Sequence, residues 1–265
     1  MFSKDLNVCL LPMRIDWNNI DSNIQTLEAN LRHIHSQTDL LILPETFSTG
    51  FPSGSASQET IRLAARNYSN TISLIKQLSA QYNLAICGSI IAEEDNKLFN
   101  RAFFVEPAGE FNFANKKHLF SMAGENKIFS PGDRRLSVRY RGWNISIIVC
   151  YDLRFPIWCR NVNNKYDLLV AVANWPESRI NAWNTLLRAR AIENLAYVCG
   201  VNCKGEDSNG LLYDGASSAI DYKGNEISVQ INDSDLIYAT LSREKLDNFR
   251  KKFPAYLDAD PFRMI

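Results

Sequence analysis

Three side chains in this sequence combine an acid, an amine and a thiol at positions where strands should end. Cys150 closes the run Trp143-Asn144-Ile145-Ser146-Ile147-Ile148-Val149 and is followed by Tyr151-Asp152-Leu153-Arg154-Phe155-Pro156. Ile145, Ile147, Ile148 and Val149 are β-branched, so a short buried strand is expected, and Phe-Pro stops regular structure soon afterwards. A thiol at such a point is held by rigid backbone at the lip of a sheet, where loops can reach it. Glu45 follows Asp39-Leu40-Leu41-Ile42-Leu43-Pro44, a second apolar run that ends as abruptly. Lys116 and Lys117 follow a third strand-like segment. A thiolate can attack a carbonyl or nitrile carbon, and a carboxylate can take the thiol proton and return it to a leaving amine. A lysine, helped by the Tyr151 N–H after the nucleophile, can stabilise the tetrahedral oxyanion. His118 competes with Glu45 for the part of base, and spacing does not separate them.

The elements that must position these groups follow from apolar periodicity. Leu6–Leu11 is expected as a first strand. Ile24, Leu27, Leu31 and Ile34 recur at helical spacing behind Asp21 and Ser22, which can cap. The apolar run ending at Leu43 suits a strand covered on both faces, and Thr46–Ser57 suits a loop. Ile72, Ile75, Leu78 and Tyr82 mark a second helix, followed by a strand over Leu84–Ile91. Leu98–Val105 and Glu110–Ala114 form an expected hairpin turned by Pro107-Ala108-Gly109. A long loop holding Glu125 and Ser130-Pro131-Gly132-Asp133 leads to the Cys150 strand. Further strands are expected over Asp167–Val172, Ala196–Asn202, Ala216–Asp221 and Leu236–Leu241, with helices over Ala182–Asn194 and Arg243–Lys252 and a tail over Phe253–Ile265. Buried strands alternating with helices define an α/β protein, and no repeat or linker divides residues 1–265, so one domain with two packed sheets and outer helices is expected.

Composition narrows the partners. The chain has 29 basic and 29 acidic residues and a formal net charge of +0, which argues against nucleic acid or an anionic membrane. No apolar run approaches the ~18 residues of a membrane span, and the N-terminus lacks a signal-peptide pattern. Six irregularly spaced cysteines do not form a disulfide framework, which indicates a reducing, cytoplasmic setting. With three histidines and no zinc-type cluster, no metal is called for.

Four separated stretches, Leu43-Pro44-Glu45, Lys116-Lys117-His118-Leu119-Phe120, Cys150 through Pro156, and Arg188-Ala189-Arg190-Ala191-Ile192-Glu193-Asn194, occur in this order and resemble the nitrilase superfamily of carbon–nitrogen hydrolases. Ala173-Asn174-Trp175-Pro176 and Lys252-Phe253-Pro254-Ala255-Tyr256 resemble its bacterial omega-amidase group, whose members act on 2-oxoglutaramate and related omega-monoamides of dicarboxylates. The resemblance implies a four-layer α-β-β-α sandwich of the nitrilase type, dimerised through its helices, with no cofactor or metal and a small-molecule amide as partner. It places the catalytic residues on Glu45, Cys150 and Lys116, the lysine two positions before the histidine, and a supporting loop acid on Glu125. Lys117 is then a departure, read as facing solvent.

Around this core, Asp152 and Arg154 are expected to brace the nucleophile turn, Arg190 and Glu193 to pair on a helix at i and i+3, His118 to pack behind the site, and the other five cysteines to fill the core. A distant substrate carboxylate needs a cation, and Arg binds carboxylates bidentately. Arg179 is the candidate for that contact, with Trp175 or Phe51 lining the pocket. Two alternatives stay open on sequence: another superfamily hydrolase acting on deaminated glutathione, an N-carbamoyl amine or a nitrile, and a non-catalytic binding protein on the same fold.

Overall fold

The computed structural model describes residues 5–52, 58–207, 209–231 and 235–260. The expected loop through Ser57 and the end of the tail therefore lie partly outside the described residues. In chain order the elements are β1 (Leu6–Leu10), α1 (Ile20–Leu31), β2 (Leu40–Ile42), α2 (Gln58–Arg66), α3 (Tyr68–Tyr82), β3 (Ala85–Glu94), β4 (Lys97–Val105), β5 (Phe111–Asn115), β6 (Leu136–Tyr140), β7 (Trp143–Val149), α4 (Pro156–Cys159), β8 (Leu168–Ala173), α5 (Ile180–Asn194), β9 (Tyr197–Asn202), β10 (Lys204–Glu206), β11 (Leu212–Asp214), β12 (Ser218–Ile220), β13 (Val229–Gln230), β14 (Ile237–Leu241) and α6 (Arg243–Lys252).

Two sheets carry the fold. One has the order β13-β14-β1-β2-β3-β4-β5 and the other β12-β9-β8-β7-β6. Each contains three adjacent parallel strands, β1-β2-β3 and β7-β8-β9, flanked by antiparallel ones. Successive side chains on a strand point to opposite faces, and this alternation sorts the core into layers. Val8, Leu10, Ile42, Ile145, Ile147, Val170 and Val172 meet between the sheets. Cys9, Leu41 and Ile86 turn outward against Leu27 and Leu31 of α1 and Ile75 and Leu78 of α3. Ile148, Leu169 and Ala171 turn outward against Trp183, Leu187 and Ala191 of α5. The result is the four-layer α-β-β-α sandwich. Because both sheets are covered on both faces, their central strands are continuous apolar runs.

Local differences from expectation have local causes. The N-cap of α1 is Asn19, whose side chain accepts a hydrogen bond from Ser22 N at 3.1 Å; Asp21 and Ser22 already belong to the helix. Asn19 competes well for this role because its short side chain reaches the unpaired first-turn amides. β3 and β4 form an unanticipated long hairpin, closed by Asp95 and Asn96 at φ 50° and 59°. Two consecutive positive φ values are the signature of the turn that matches strand twist. β6 was hidden in the long loop because only Leu136, Val138 and Tyr140 alternate there, over a single short stretch. Helix α6 docks through Arg250 and Arg243, whose guanidiniums hold the buried Asp167 carboxylate at 2.6 and 2.8 Å. All six cysteines are free, and five of them are buried.

The loop after β5 is pinned where it leaves the sheet. Gly132 N donates to Lys116 O at 2.7 Å, and a Cβ on Gly132 would lie 2.0 Å from Asn115 O. Backbone cannot yield to that as a flexible side chain can. Gly132→Ala is therefore expected to cost ~2 kcal/mol by forced overpacking, read as a lower thermal unfolding midpoint; an unchanged midpoint would show that this loop is free to move.

Candidate active site

The site forms where strands from both sheets end at a common edge. Glu45 follows β2, Lys116 follows β5, Cys150 follows β7 and Asn174 follows β8. Each side chain thus hangs from a backbone already fixed by a sheet ladder. Two of the turns are conformationally costly. Cys150 has φ 45° and Thr46, next to Glu45, has φ 42°. A β-branched residue in the left-handed region is rare, and such strain concentrates at functional sites.

The charged centre is a buried lysine between two carboxylates. Lys116 Nζ donates to Glu45 Oε1 at 2.9 Å and to Glu125 Oε1 and Oε2 at 2.8 and 3.0 Å. All three side chains are essentially inaccessible to solvent. Glu45 gains two further donors: Asn100 Nδ2 to Oε1 at 2.7 Å and Asn174 N to Oε2 at 2.9 Å. Glu125 also accepts from Phe120 N at 2.5 Å, which ties the loop to its own acid. Burial would strip the proton from Lys116, but the Glu45 and Glu125 charges more than reverse this, so the ammonium titrates above the usual lysine range. Burial pushes the Glu125 carboxyl up, and Glu45 adds to that, against the pull of Lys116.

Cys150 is only partly buried, in contrast to the other five cysteines. Its surroundings still hold the proton on sulfur. Burial drives the thiol well above its ordinary range, and the Glu45 charge pushes the same way. The Lys116 cation opposes both, while Glu125 and a hydrogen bond to Glu45 add to the rise. The sulfur thus rests as a thiol beside Glu45.

Asp152 fastens the nucleophile turn. Its carboxylate accepts from Val149 N at 3.2 Å and His118 N at 2.9 Å, and its Oδ1 lies 2.8 Å from His118 Nδ1. The His118 ring stacks on Phe155 at 3.7 Å between centroids, so it packs behind the turn. Arg190 pairs with Glu193 at 2.9 Å and also donates to Leu153 O at 2.7 Å, which clamps the turn to α5.

Glu45, Lys116 and Cys150 open onto one pocket with an empty volume of ≈ 380 Å³, which Phe51, Tyr151, Trp175 and Arg179 also line. Glu125 does not line it but stands behind Lys116. Lys116 Nζ lies 5.5 Å from the Phe51 ring centroid. The Arg179 guanidinium lies 5.6 Å from the Phe120 centroid, and its carbonyl accepts from Trp175 Nε1 at 3.0 Å. Arg154 corrects the sequence reading. Expected only to brace the turn, it is exposed, lies with its guanidinium 4.8 Å over the Trp175 ring and lines the pocket. Two arginines therefore face the same opening. Asn100 and Asn174 were missed as site residues, since their polar contacts cross 55 and 129 positions of sequence. The only available signal was an asparagine within the apolar β4 strand and another at the end of β8. Among the described residues, no group of three or more His, Cys, Asp or Glu is arranged to hold a metal ion.

Known proteins share this framework. The family model described as carbon-nitrogen hydrolase matches residues 8–251. The chain is 39% identical over 260 residues to the omega-amidase YafV of Escherichia coli (strain K12), covering 98% of each chain. It is 26% identical over 254 residues to a 2-oxoglutaramate amidase of Bacillus subtilis (strain 168), covering 95% of this chain and 96% of that one. The crystal structure of XC1258 from Xanthomonas campestris, a CN-hydrolase superfamily protein with an arsenic adduct in the active site, matches at TM-score 0.91 and 39% identity, covering 98% of this chain and 99% of that one. With a family model spanning nearly its whole length and a relative this similar end to end, the chain belongs to the carbon–nitrogen hydrolase family.

Proposed function

We propose that this protein is an omega-amidase, working as one domain without a cofactor, which hydrolyses the omega-monoamide of a dicarboxylate, of the 2-oxoglutaramate or 2-oxosuccinamate type, to the acid and ammonia. The observation that carries the reading is the convergence of Cys150, Glu45 and Lys116 on a pocket whose opening bears two arginines. The relatives called omega-amidase and 2-oxoglutaramate amidase support the substrate class.

The chemistry follows from the contacts. Glu45 takes the Cys150 proton as Sγ attacks the amide carbon, and the carbonyl oxygen becomes an oxyanion. Lys116 Nζ and the Tyr151 N–H are the donors for that oxyanion. Glu45 passes the proton to nitrogen, the C–N bond breaks, and ammonia leaves a Cys150 thioester. Glu45 then takes a proton from water as its oxygen attacks the thioester. The second tetrahedral intermediate collapses to the free acid, and the thiol regains its proton. Glu125 keeps Lys116 aimed at the reacting oxygen throughout. Glu45 rather than His118 is the base, because His118 does not line the pocket and its ring packs on Phe155 behind the nucleophile turn.

Arg154 and Arg179 are the cations for the distal carboxylate, with Trp175 and Phe51 as apolar walls. The aromatic faces under Arg154 and Arg179 restrict the guanidiniums without neutralising them. The six free cysteines support a reducing compartment such as the cytoplasm. Among the described residues, no helix is long and apolar enough to cross a membrane. Exposed Ile157, Ile192 and Leu257 on the helical layer support a homodimer.

Ammonia release from 2-oxoglutaramate tests the triad. Cys150→Ala is expected to abolish it and leave the fold intact. Glu45→Gln should lower turnover by about 10²–10⁴-fold, the usual scale of a lost acid–base group. The same change removes the anion beside the thiol and leaves the Lys116 cation, so alkylation of Cys150 should titrate at lower pH. Full turnover in Glu45→Gln would remove Glu45 from the mechanism.

Arg154→Met and Arg179→Met are each expected to raise KM for 2-oxoglutaramate by about tenfold or more, the scale of a lost charge-assisted hydrogen bond, with little change on a neutral amide. Equal loss on both substrates would defeat the carboxylate assignment. Sedimentation should return twice the 30.1 kDa chain mass, and a monomer at micromolar concentration would remove the dimer.

A further inference from the structure

We infer that Asn100 is a positioning residue that commits Oε1 of Glu45 to Lys116 and leaves Oε2 as the oxygen that carries the proton. Three observations support this. Asn100 is fully buried on β4, and its Nδ2 donates to Glu45 Oε1 at 2.7 Å. Its backbone carbonyl accepts from Lys116 N at 2.8 Å. One residue thus grips both members of the Glu45–Lys116 pair, the acid through its side chain and the lysine through its main chain. Finally, the Asn100 Oδ1 is buried and unpartnered among the described residues.

That last feature tells against a purely structural role. An unpaired buried amide oxygen costs stability, and an apolar side chain of similar shape would avoid the cost. The amide cannot turn round to relieve it, because Oδ1 would then face the Glu45 oxygen, acceptor against acceptor. What the residue supplies is the donor to Oε1.

Lone pairs then assign the work of each oxygen. Oε1 accepts from both Asn100 Nδ2 and Lys116 Nζ, which occupies its two acceptor directions. Among the described residues, Oε2 accepts one main-chain donor, Asn174 N, which leaves its second direction to the Cys150 thiol. The thiol proton, and later the proton delivered to nitrogen, use that direction. Thr46 supports the same geometry from the other side: its amide donates to Ser89 Oγ at 2.9 Å, and its hydroxyl accepts from Asn174 Nδ2 at 3.0 Å. Without Asn100, Oε1 has a vacant direction and the carboxylate is free to rotate about its last bond, so the proton can settle on the oxygen that faces away from the nucleophile.

The inference rests on the proposed reaction, with Glu45 as its base. The titratable and charged neighbours of Glu45 are Lys116, Glu125, Cys150 and the buried thiol of Cys203, and none of them is altered in the test. Asn100→Leu and the isosteric Asn100→Asp are compared with the unaltered protein and with Glu45→Gln, using 2-oxoglutaramate and following thermal unfolding in parallel. In Asn100→Leu, losing a donor to the ionised carboxylate favours its protonated form. Its kcat is expected to fall at least tenfold with KM changed less than threefold, and the acid limb of kcat/KM to move to higher pH by about one unit. Asn100→Asp can donate to Oε1 only while protonated, so its residual activity should be confined to the acid side. Folded variants with wild-type pH limbs would overturn the inference. Should Asn100→Leu fail to fold, Asn100→Asp decides alone: residual activity greatest on the acid side supports the inference, and a wild-type profile overturns it. A failure of the reaction itself looks different: the unaltered protein would release no ammonia, or Glu45→Gln would stay fully active.

Discussion

A buried cation shared by two buried carboxylates is the interaction on which the rest of this structure depends. Glu45 and Glu125 lie on either side of Lys116 in the sequence and meet on its ammonium, and buried charges of this kind are tolerated only when paired. Lys116 makes the arrangement tolerable, and it can do so because the ends of β2 and β5 and the loop after β5 bring both acids within 3.0 Å of its Nζ. Removing one member of such a buried set leaves an uncompensated charge, which typically costs ~3–5 kcal/mol. The site is therefore a fold constraint as well as a chemical one. The loop after β5 is anchored by it, through the Phe120 amide on Glu125 and the Gly132 amide on Lys116 O.

The same constraint explains why the nucleophile is stored as a thiol. A thiolate beside Glu45 and Glu125 would add a third buried anion against a single cation. Burial and the Glu45 charge keep the proton on sulfur, so Cys150 is not a permanently reactive anion. On the proposed mechanism Glu45 removes that proton, and ionisation is coupled to arrival of an electrophile. Strain at Cys150 and Thr46 fits this economy, since the backbone of both turns is aimed before substrate arrives. The Asp152 and Arg190 clamps keep it aimed.

On the proposed function, selectivity belongs to the opening, where two arginines line the pocket. Arg154 and Arg179 reach it from the two ends of one short stretch of fold, the nucleophile turn and the segment before α5. Each lies over an aromatic ring and is restrained by it. On the proposed function, an anionic substrate meets two cations in the pocket that holds the reacting thiol. Steering of this kind raises encounter rates and orients the ligand before chemistry begins.

The sequence alone determined the alternation of strands and helices, the buried character of the central strands, and the strand-end placement of Glu45 and Cys150, because these follow from apolar periodicity and chain breaks within a few residues. Its four motifs were also enough to indicate the family and the sandwich. Only tertiary structure decided that Arg154 faces the pocket, that Asn19 caps α1, and that Asn100 and Asn174 grip Glu45. The Asn100 and Asn174 contacts span 55 and 129 residues; the first joins two strands of one sheet, β4 and the end of β2, and the second arises from packing one sheet against the other. A polar residue inside an apolar strand looks the same in sequence whether it faces a catalytic acid or an ordinary core, and only the partner across the fold distinguishes them.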